Sequence, residues 1–305
     1  MAHPSTLTPP VAERAARNGG RVDDLGRLVA SCPDRPGIVS AITTFLHGHG
    51  ANIVQYDQET TTLEGGTFFQ RLEFHLPGLS ERLPELEHAF GEEIAARFGM
   101  NWRMHDVAAP ARVAIFVSRY DHCLLDLLWR WRRRELPLEV VQVVSNHADL
   151  ADEVSRFGVP YEHIPVTKAT KPIAEQAQLD LLRDRVDLVV MARYMQILSG
   201  DFLDRVGVPV INIHHSFLPA FAGASPYERA KQRGVKLIGA TAHYATEDLD
   251  EGPIIEQDVI RVSHRNAAQD LVRLGSDIER AVLARAVTWH CEDRVIVNGG
   301  TTIVF

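Results

Sequence analysis

Short β-branched and aliphatic runs alternate along this chain with segments whose apolar positions recur every three to four residues. Gly26 to Cys32 predicts a strand stopped at Pro33, and Pro33-Asp34-Arg35-Pro36-Gly37 is dense turn chemistry. Ile38 to His49 sets Ile38, Ile42, Phe45 and Leu46 at helical spacing, with Gly50 as the stop. Ala51 to Thr62 and Thr67 to Leu76 predict two strands joined through Leu63-Glu64-Gly65-Gly66. Ser80 to Phe98 predicts a helix with Leu83, Leu86, Phe90 and Ile94 on one face, and Asn101 to Val107 a last strand. The order βαββαβ predicts a ferredoxin-like α+β unit over 25–107, behind a loose polar tail over 1–24.

A linker at 108–111, rich in Ala and Pro, leads into a second domain over 112–305. There strands at Arg112–Ser118, Leu138–Ser145, Tyr161–Ile164, Val186–Met191 and Val208–Ile211 alternate with helices at His122–Arg134, Ala148–Phe157, Lys171–Arg183 and Leu198–Val206. That alternation predicts a doubly wound, mainly parallel α/β sheet. Past Pro219 the signals change, and strands at Ile238–Ala245, Pro253–Val262 and Arg294–Val297 are expected to include antiparallel ones.

One stretch breaks the apolar rule. Val208-Pro209-Val210-Ile211 reads as a buried strand, yet Asn212, His214, His215 and Ser216 follow at once. In open α/β sheets chemistry collects beyond the carboxyl ends of strands. Side chains two apart on a strand share a face, so Asn212 and His214 form an amide and imidazole pair suited to a carbonyl. His215 should point the other way and serve structure. A second polar stretch, Glu247-Asp248-Leu249-Asp250-Glu251-Gly252-Pro253, makes a tight acidic loop. Amide, imidazole and carboxylate together supply an oxyanion donor, a proton shuttle and a group that orients water.

Composition narrows the partners. At 305 residues the chain can hold two domains, and 45% apolar with 24% charged residues is ordinary for a globular protein. A net charge of -8 leaves no cationic excess for nucleic acid. The cluster Arg130-Trp131-Arg132-Arg133-Arg134 reads as a solvated helix end. Three scattered cysteines, Cys32, Cys123 and Cys291, form no CxxC pair, which favours a reducing cytoplasm over a disulfide framework. No apolar run approaches the ~20 residues of a membrane helix. The histidines lack the spacing of a metal set, so no metal is expected.

Family resemblance adds what pattern cannot. Ser31-Cys-Pro-Asp-Arg-Pro-Gly-Ile38 followed by Gly50-Ala-Asn-Ile-Val-Gln55 resembles an ACT domain, a module that pairs with copies of itself and binds small ligands. The resemblance implies a regulatory site bounded by Asp34, Gly37 and Asn52, an amino-acid effector and a homo-oligomer. Asn212-Ile-His-His-Ser-Phe-Leu-Pro219 and Leu249-Asp-Glu-Gly-Pro253 resemble the formyltetrahydrofolate-dependent formyltransferase fold, as do Ser145-Asn-His147, Met191 to Ser199 and Gly239 to Tyr244. With an ACT-like unit in front, the whole is similar to the formyltetrahydrofolate deformylase family. That resemblance implies hydrolysis of 10-formyltetrahydrofolate to tetrahydrofolate and formate, supplying formate for purine synthesis and balancing one-carbon pools, with the folate as substrate and no cofactor. Asn212, His214 and Asp250 take the catalytic positions. Arg193, Met195, Gln196, Ile197, Leu198 and His243 take substrate-binding ones, and Lys168 and Lys171 are candidates for the glutamate tail. Two other readings stay open: a formyltransferase acting on a small amine such as glycinamide ribonucleotide, and a non-catalytic folate or amino-acid sensor. Against the transferase, the turn Ser118-Arg119-Tyr120-Asp121-His122-Cys123 has no glycine to cradle an acceptor phosphate. Ser225 stands where family members usually carry a cation, although Ser225-Pro226-Tyr227-Glu228 makes a sound capping box.

Overall fold

In the computed structural model, residues 23–219 and 226–305 are described, so most of the tail and Ser225 lie outside them. The chain forms two compact units.

The first unit carries β1 (Leu25–Pro33), α1 (Ile38–Gly48), β2 (Asn52–Thr60), β3 (Thr67–His75), α2 (Leu79–Phe90) and β4 (Asn101–Asp106). Its sheet runs β2-β3-β1-β4, antiparallel throughout, which is the ferredoxin-like order expected. The helical apolar faces read from the sequence meet one sheet face: Ile38, Ile42, Phe45 and Leu46 join Leu86, Phe90, Leu28, Leu72 and Phe74 in one core. Helix α2 runs on through a π-helical turn at Gly91–Ala95 and ends at Phe98, so the predicted Ser80–Phe98 helix is present but not uniform.

The second unit contributes β5 (Ala111–Val117), α3 (His122–Arg132), β6 (Leu138–Ser145), α4 (Ala151–Ser155), β7 (Tyr161–His163) and α5 (Lys171–Leu182). It continues with β8 (Leu188–Met191), α6 (Gly200–Val206), β9 (Val210–His214), α7 (Pro226–Arg233), β10 (Leu237–Tyr244), β11 (Ile254–Arg261) and α8 (Ala268–Cys291). The sheet order is β11-β10-β9-β8-β5-β6-β7. Strands β9, β8, β5, β6 and β7 are parallel, and β10 and β11 add antiparallel to the β9 side. The central strands are buried on both faces, which is why Leu188–Met191 is an unbroken apolar run. Helix α6 starts at Ser199, whose hydroxyl accepts from Phe202 N at 3.1 Å.

Three features depart from the sequence reading. The sequence pattern assigns no element over residues 263–293, yet most of them form α8, the longest helix described. The C-terminal strand is Val295–Asn298 (β12), paired with Thr301–Val304 (β13). The expectation of one domain over 112–305 is corrected at its end, because Glu292–Ile296 and Ile303–Phe305 belong to the first unit. Two forces draw them there. Ile296, Ile303 and Phe305 cover Val29 and Phe69 on the sheet face away from the helices. Asp293 meets three cationic or imidazole groups of that face: Arg27 at 3.1 Å, Arg103 at 2.9 Å and His105 at 2.9 Å. Burial would raise the Asp293 carboxyl, but His105, then Arg103 and Arg27, hold it far below the usual range. The basic run at the end of α3 is neutralised locally: Arg130 pairs with Asp126 at 2.7 Å and Arg133 with Glu135 at 2.8 Å.

Candidate active site

The site sits where β9 ends. Parallel β8 flanks that strand on one side, and antiparallel β10 pairs with it on the other in the register Asn212↔His243 and Thr241↔His214. Cross-strand partners share a face, so Asn212, His214, His243 and Thr241 gather on one side of the sheet. Asn212 Nδ2 lies 3.2 Å from His243 Nε2, and His243 Nδ1 lies 3.0 Å from the Tyr244 carbonyl. A carbonyl only accepts, so Nδ1 carries the proton and Nε2 receives the Asn212 amide. Burial lowers the His243 pKa and keeps the ring neutral. The Asn212 amide is thereby fixed, with one N–H spent on His243 and a second available.

Asp250 arrives from the acidic loop between β10 and β11. That loop is a tight return: Tyr244 N donates to the Pro253 carbonyl at 3.0 Å, and a Cβ on Gly252 would lie 1.8 Å from the Tyr244 oxygen. Only glycine fits there. Asp250 itself has φ 61, the left-handed region that an aspartate tolerates better than most residues. Its Oδ1 stands 3.1 Å from His214 Nδ1 and 3.8 Å from His243 Nε2. The hydrogen bond from His214, outweighing burial, lowers the Asp250 pKa and keeps the carboxylate ionised. His214 is buried, and its Nε2 has no hydrogen-bond partner among the described residues. The free nitrogen, the free amide N–H and the carboxylate line one cavity of about 300 Å³.

Expected substrate contacts share that cavity. Arg193, Met195, Gln196, Ile197, Leu198 and His243 all line it, together with Leu203 and Leu249. The loop after β8 is held in shape by its surroundings: Met195 N donates to Ser118 Oγ at 2.9 Å, and Ser199 N to Glu175 Oε1 at 2.9 Å. Met195, Ile197 and Leu249 are about half exposed, an apolar rim suited to a flat heterocycle. Lys168 and Lys171 are not in the lining; Lys171 lies 3.8 Å from Glu175. In the first unit, Asp34 Oδ2 accepts from Thr60 Oγ1 at 2.9 Å, Gly37 has φ 95 at the start of α1, and Asn52 opens β2 opposite His75.

His215 corrects the alternation argument. Strand β9 stops at His214, so the chain has turned by the next residue, and the two imidazoles stack with centroids 5.1 Å apart. Burial, then the charge of Arg193 and His214, lowers the His215 pKa to about 4, so this ring is neutral at pH 7.

Sequence reasoning missed Glu279, which lies fully buried on α8. Its carboxylate lies 2.7 Å from His122 Nε2, accepts from Tyr227 Oη at 2.7 Å, and lies 3.5 Å from Arg193 Nε. Burial pushes this acid up, but the His122 hydrogen bond and the Arg193 charge hold it at about 2. The signal available was a polar residue on the apolar stripe Leu271, Ile278, Val282, Leu283. Cys123 adjoins this cluster, and its thiol is raised well above its usual value by burial. A carboxylate already engaged by an imidazole, a phenol and a guanidinium, beside a protonated thiol, does not suit a cation.

A doubly wound sheet with an amide, imidazole and carboxylate at the end of β9, preceded by a ferredoxin-like unit, defines a formyl transferase-type domain joined to an ACT domain. Residues 111–287 match the formyl transferase family and residues 26–89 the ACT domain family. The chain is 62% identical to a formyltetrahydrofolate deformylase of Mycobacterium tuberculosis, covering 92% of this chain and 91% of that one. It is 52% identical to one from Bacillus subtilis, covering 93% and 94%. A solved formyltetrahydrofolate deformylase from Pseudomonas syringae superimposes with a TM-score of 0.90 at 44% identity, over 97% of this chain and all of that one (100%). A glycinamide ribonucleotide transformylase from Symbiobacterium toebii reaches a TM-score of 0.61 at 29% identity, over 67% of this chain and 98% of its own. The chain belongs to the formyltetrahydrofolate deformylase family.

Proposed function

We propose that this protein hydrolyses 10-formyltetrahydrofolate to tetrahydrofolate and formate, with water as the formyl acceptor. The observation that carries this reading is the convergence of Asn212, His214 and ionised Asp250 on one cavity with an apolar rim. The pterin lies against the loop from Arg193 to Leu198. The formyl oxygen faces the second N–H of Asn212 and Nε2 of His214, whose Nδ1 is bonded to Asp250. Asp250 accepts a hydrogen bond from the attacking water. As the water oxygen bonds to the formyl carbon, negative charge on the carbonyl oxygen is met by these two groups. The C–N10 bond then breaks with its electron pair going to nitrogen. N10 takes one proton of the water by way of Asp250, and the other is released to solvent as formate forms. No cofactor enters the step.

Water is preferred over an amine acceptor because the turn after β5 is filled with side chains rather than glycine. Tyr120 stacks under the Arg193 guanidinium at 4.9 Å, His122 is bonded to Glu279, and Ser118 Oγ donates to Asn146 at 2.7 Å. The test is formate release from 10-formyltetrahydrofolate with no acceptor present. Sustained multiple turnovers are expected. Formyl transfer to glycinamide ribonucleotide, without release in its absence, would make the protein a transferase, and inactivity in both assays would make it a sensor.

The first unit is read as regulatory. An amino acid at the turn bounded by Asp34, Gly37 and Asn52 is the effector class its ACT kinship supports, and Gly37 leaves open space where a Cβ would stand. The protein assembles as a homo-oligomer through these units. Light scattering at micromolar concentration should give a mass at least twice that of one chain; a monomer there would refute the assembly. Three free cysteines and no helix long and apolar enough to cross a membrane, among the described residues, support a cytoplasmic setting.

A further inference from the structure

Arg193 is the one cationic side chain among the described residues that line the cavity. It is 8% exposed, at φ 64, just beyond the end of β8. Tyr120 covers one face of its guanidinium, and Glu279 Oε2 stands 3.5 Å from Nε, near enough for an ion pair. Even so, Nε and Nη1 are buried and have no hydrogen-bond partner among the described residues. Buried charged donors left open are costly, so a guanidinium with two of them, on a residue that lines the cavity, favours completion by an acceptor.

The surroundings select the acceptor. A guanidinium N–H makes a charge-assisted hydrogen bond to a carboxylate oxygen. Glu279 and Asp250 are both ionised nearby, which disfavours a polyanion and favours a small monoanion. Hydrolysis as proposed above generates such a species: a neutral formamide enters and a carboxylate of three heavy atoms must leave. It forms beside Asp250, whose charge repels it. The field of Arg193 reaches His215, whose ring stacks on that of His214, so the cation lies within electrostatic range of the reacting centre. We propose that Arg193, steadied by Glu279 and Tyr120, is a product subsite that receives the carboxylate of formate as it departs from Asp250. The role depends on the hydrolase reading, since a transferase would release no formate.

Formate binding tests this without turnover. The full-length protein is titrated with sodium 13C-formate, with sodium chloride exchanged to hold ionic strength, and broadening of the formate signal is followed. Saturable binding is expected with a dissociation constant on the order of 1–10 mM, weakened about tenfold or more by Arg193→Met and less by Arg193→Lys. In protein labelled with 15N-arginine, one Nε signal should move with formate and be missing from Arg193→Lys; this readout decides the matter should Arg193→Met not fold. No saturable binding by the wild type, or unchanged binding by the variants, overturns the proposal. Formate release measured separately from 10-formyltetrahydrofolate distinguishes the two failures: release without Arg193-dependent binding sinks the subsite alone.

Discussion

Asp250→Asn should lower kcat for formate release by about 10³–10⁴-fold, with KM changed by less than about threefold. The substitution keeps the volume of the side chain and removes its charge. Two functions go with it. The amide no longer holds the His214 Nδ1–H as an ionised acceptor does, and it cannot take the proton of the attacking water. Because Asp250 lies in a surface loop and is held low mainly by one hydrogen bond from His214, the fold should be unaffected. Steady-state kinetics, paired with a thermal melt, is the check. A loss smaller than about tenfold with an unchanged melt would place the proton transfer elsewhere.

The second large effect concerns stability. Asp293→Ala should destabilise the first unit by about 3 kcal/mol, because it strips a buried carboxylate from Arg27, whose side chain is 5% exposed, and from Arg103 and His105. Glu73, 3.3 Å from Arg27 Nε and 2.6 Å from Arg71 Nη2, cannot neutralise both guanidiniums alone. The pH dependence follows from the depressed Asp293 carboxyl. A group held below its unfolded value, near 3.9 for Asp, contributes fully above that value and loses its contribution as pH falls toward the folded one. The gap between wild type and variant should therefore be present at about pH 5 and narrow below about pH 4. Urea unfolding at several pH values measures it. A variant as stable as wild type at pH 7 would remove the carboxylate from the account of the fold.

Local pattern made most of the architecture legible. Val210 and Ile211 are apolar because β9 is buried between neighbours, and Asn212 and His214 stand out because nothing in packing calls for them. The acidic loop ending in Gly252-Pro253 was visible for the same reason. Illegible from local pattern were the contacts made across long separations. Glu279 interrupts the apolar stripe of α8, but its partners, His122 157 residues away, Tyr227 and Arg193, cannot be read from that stretch. Asp293 sits between Glu292 and Arg294 in an equally polar run, and its partners lie 188 to 266 residues earlier. His215 was misplaced because alternation was carried one residue past the end of a strand. The formyl-folate substrate was never in the pattern at all; it came from kinship.

The return of Glu292–Ile296 and Ile303–Phe305 to the first unit has a consequence for how the cell makes this protein. The ribosome delivers the first unit's sheet early and its last segment at the very end. Throughout synthesis of the second unit, Arg27, Arg71 and Arg103 have neither Asp293 nor the Glu292 carbonyl to meet, and Val29 and Phe69 lack their cover. Translation order and folding order therefore diverge: the first unit begins first and finishes last, and a nascent chain arrested before residue 292 carries a sheet face with excess positive charge and bare apolar surface, the kind of intermediate that chaperones hold.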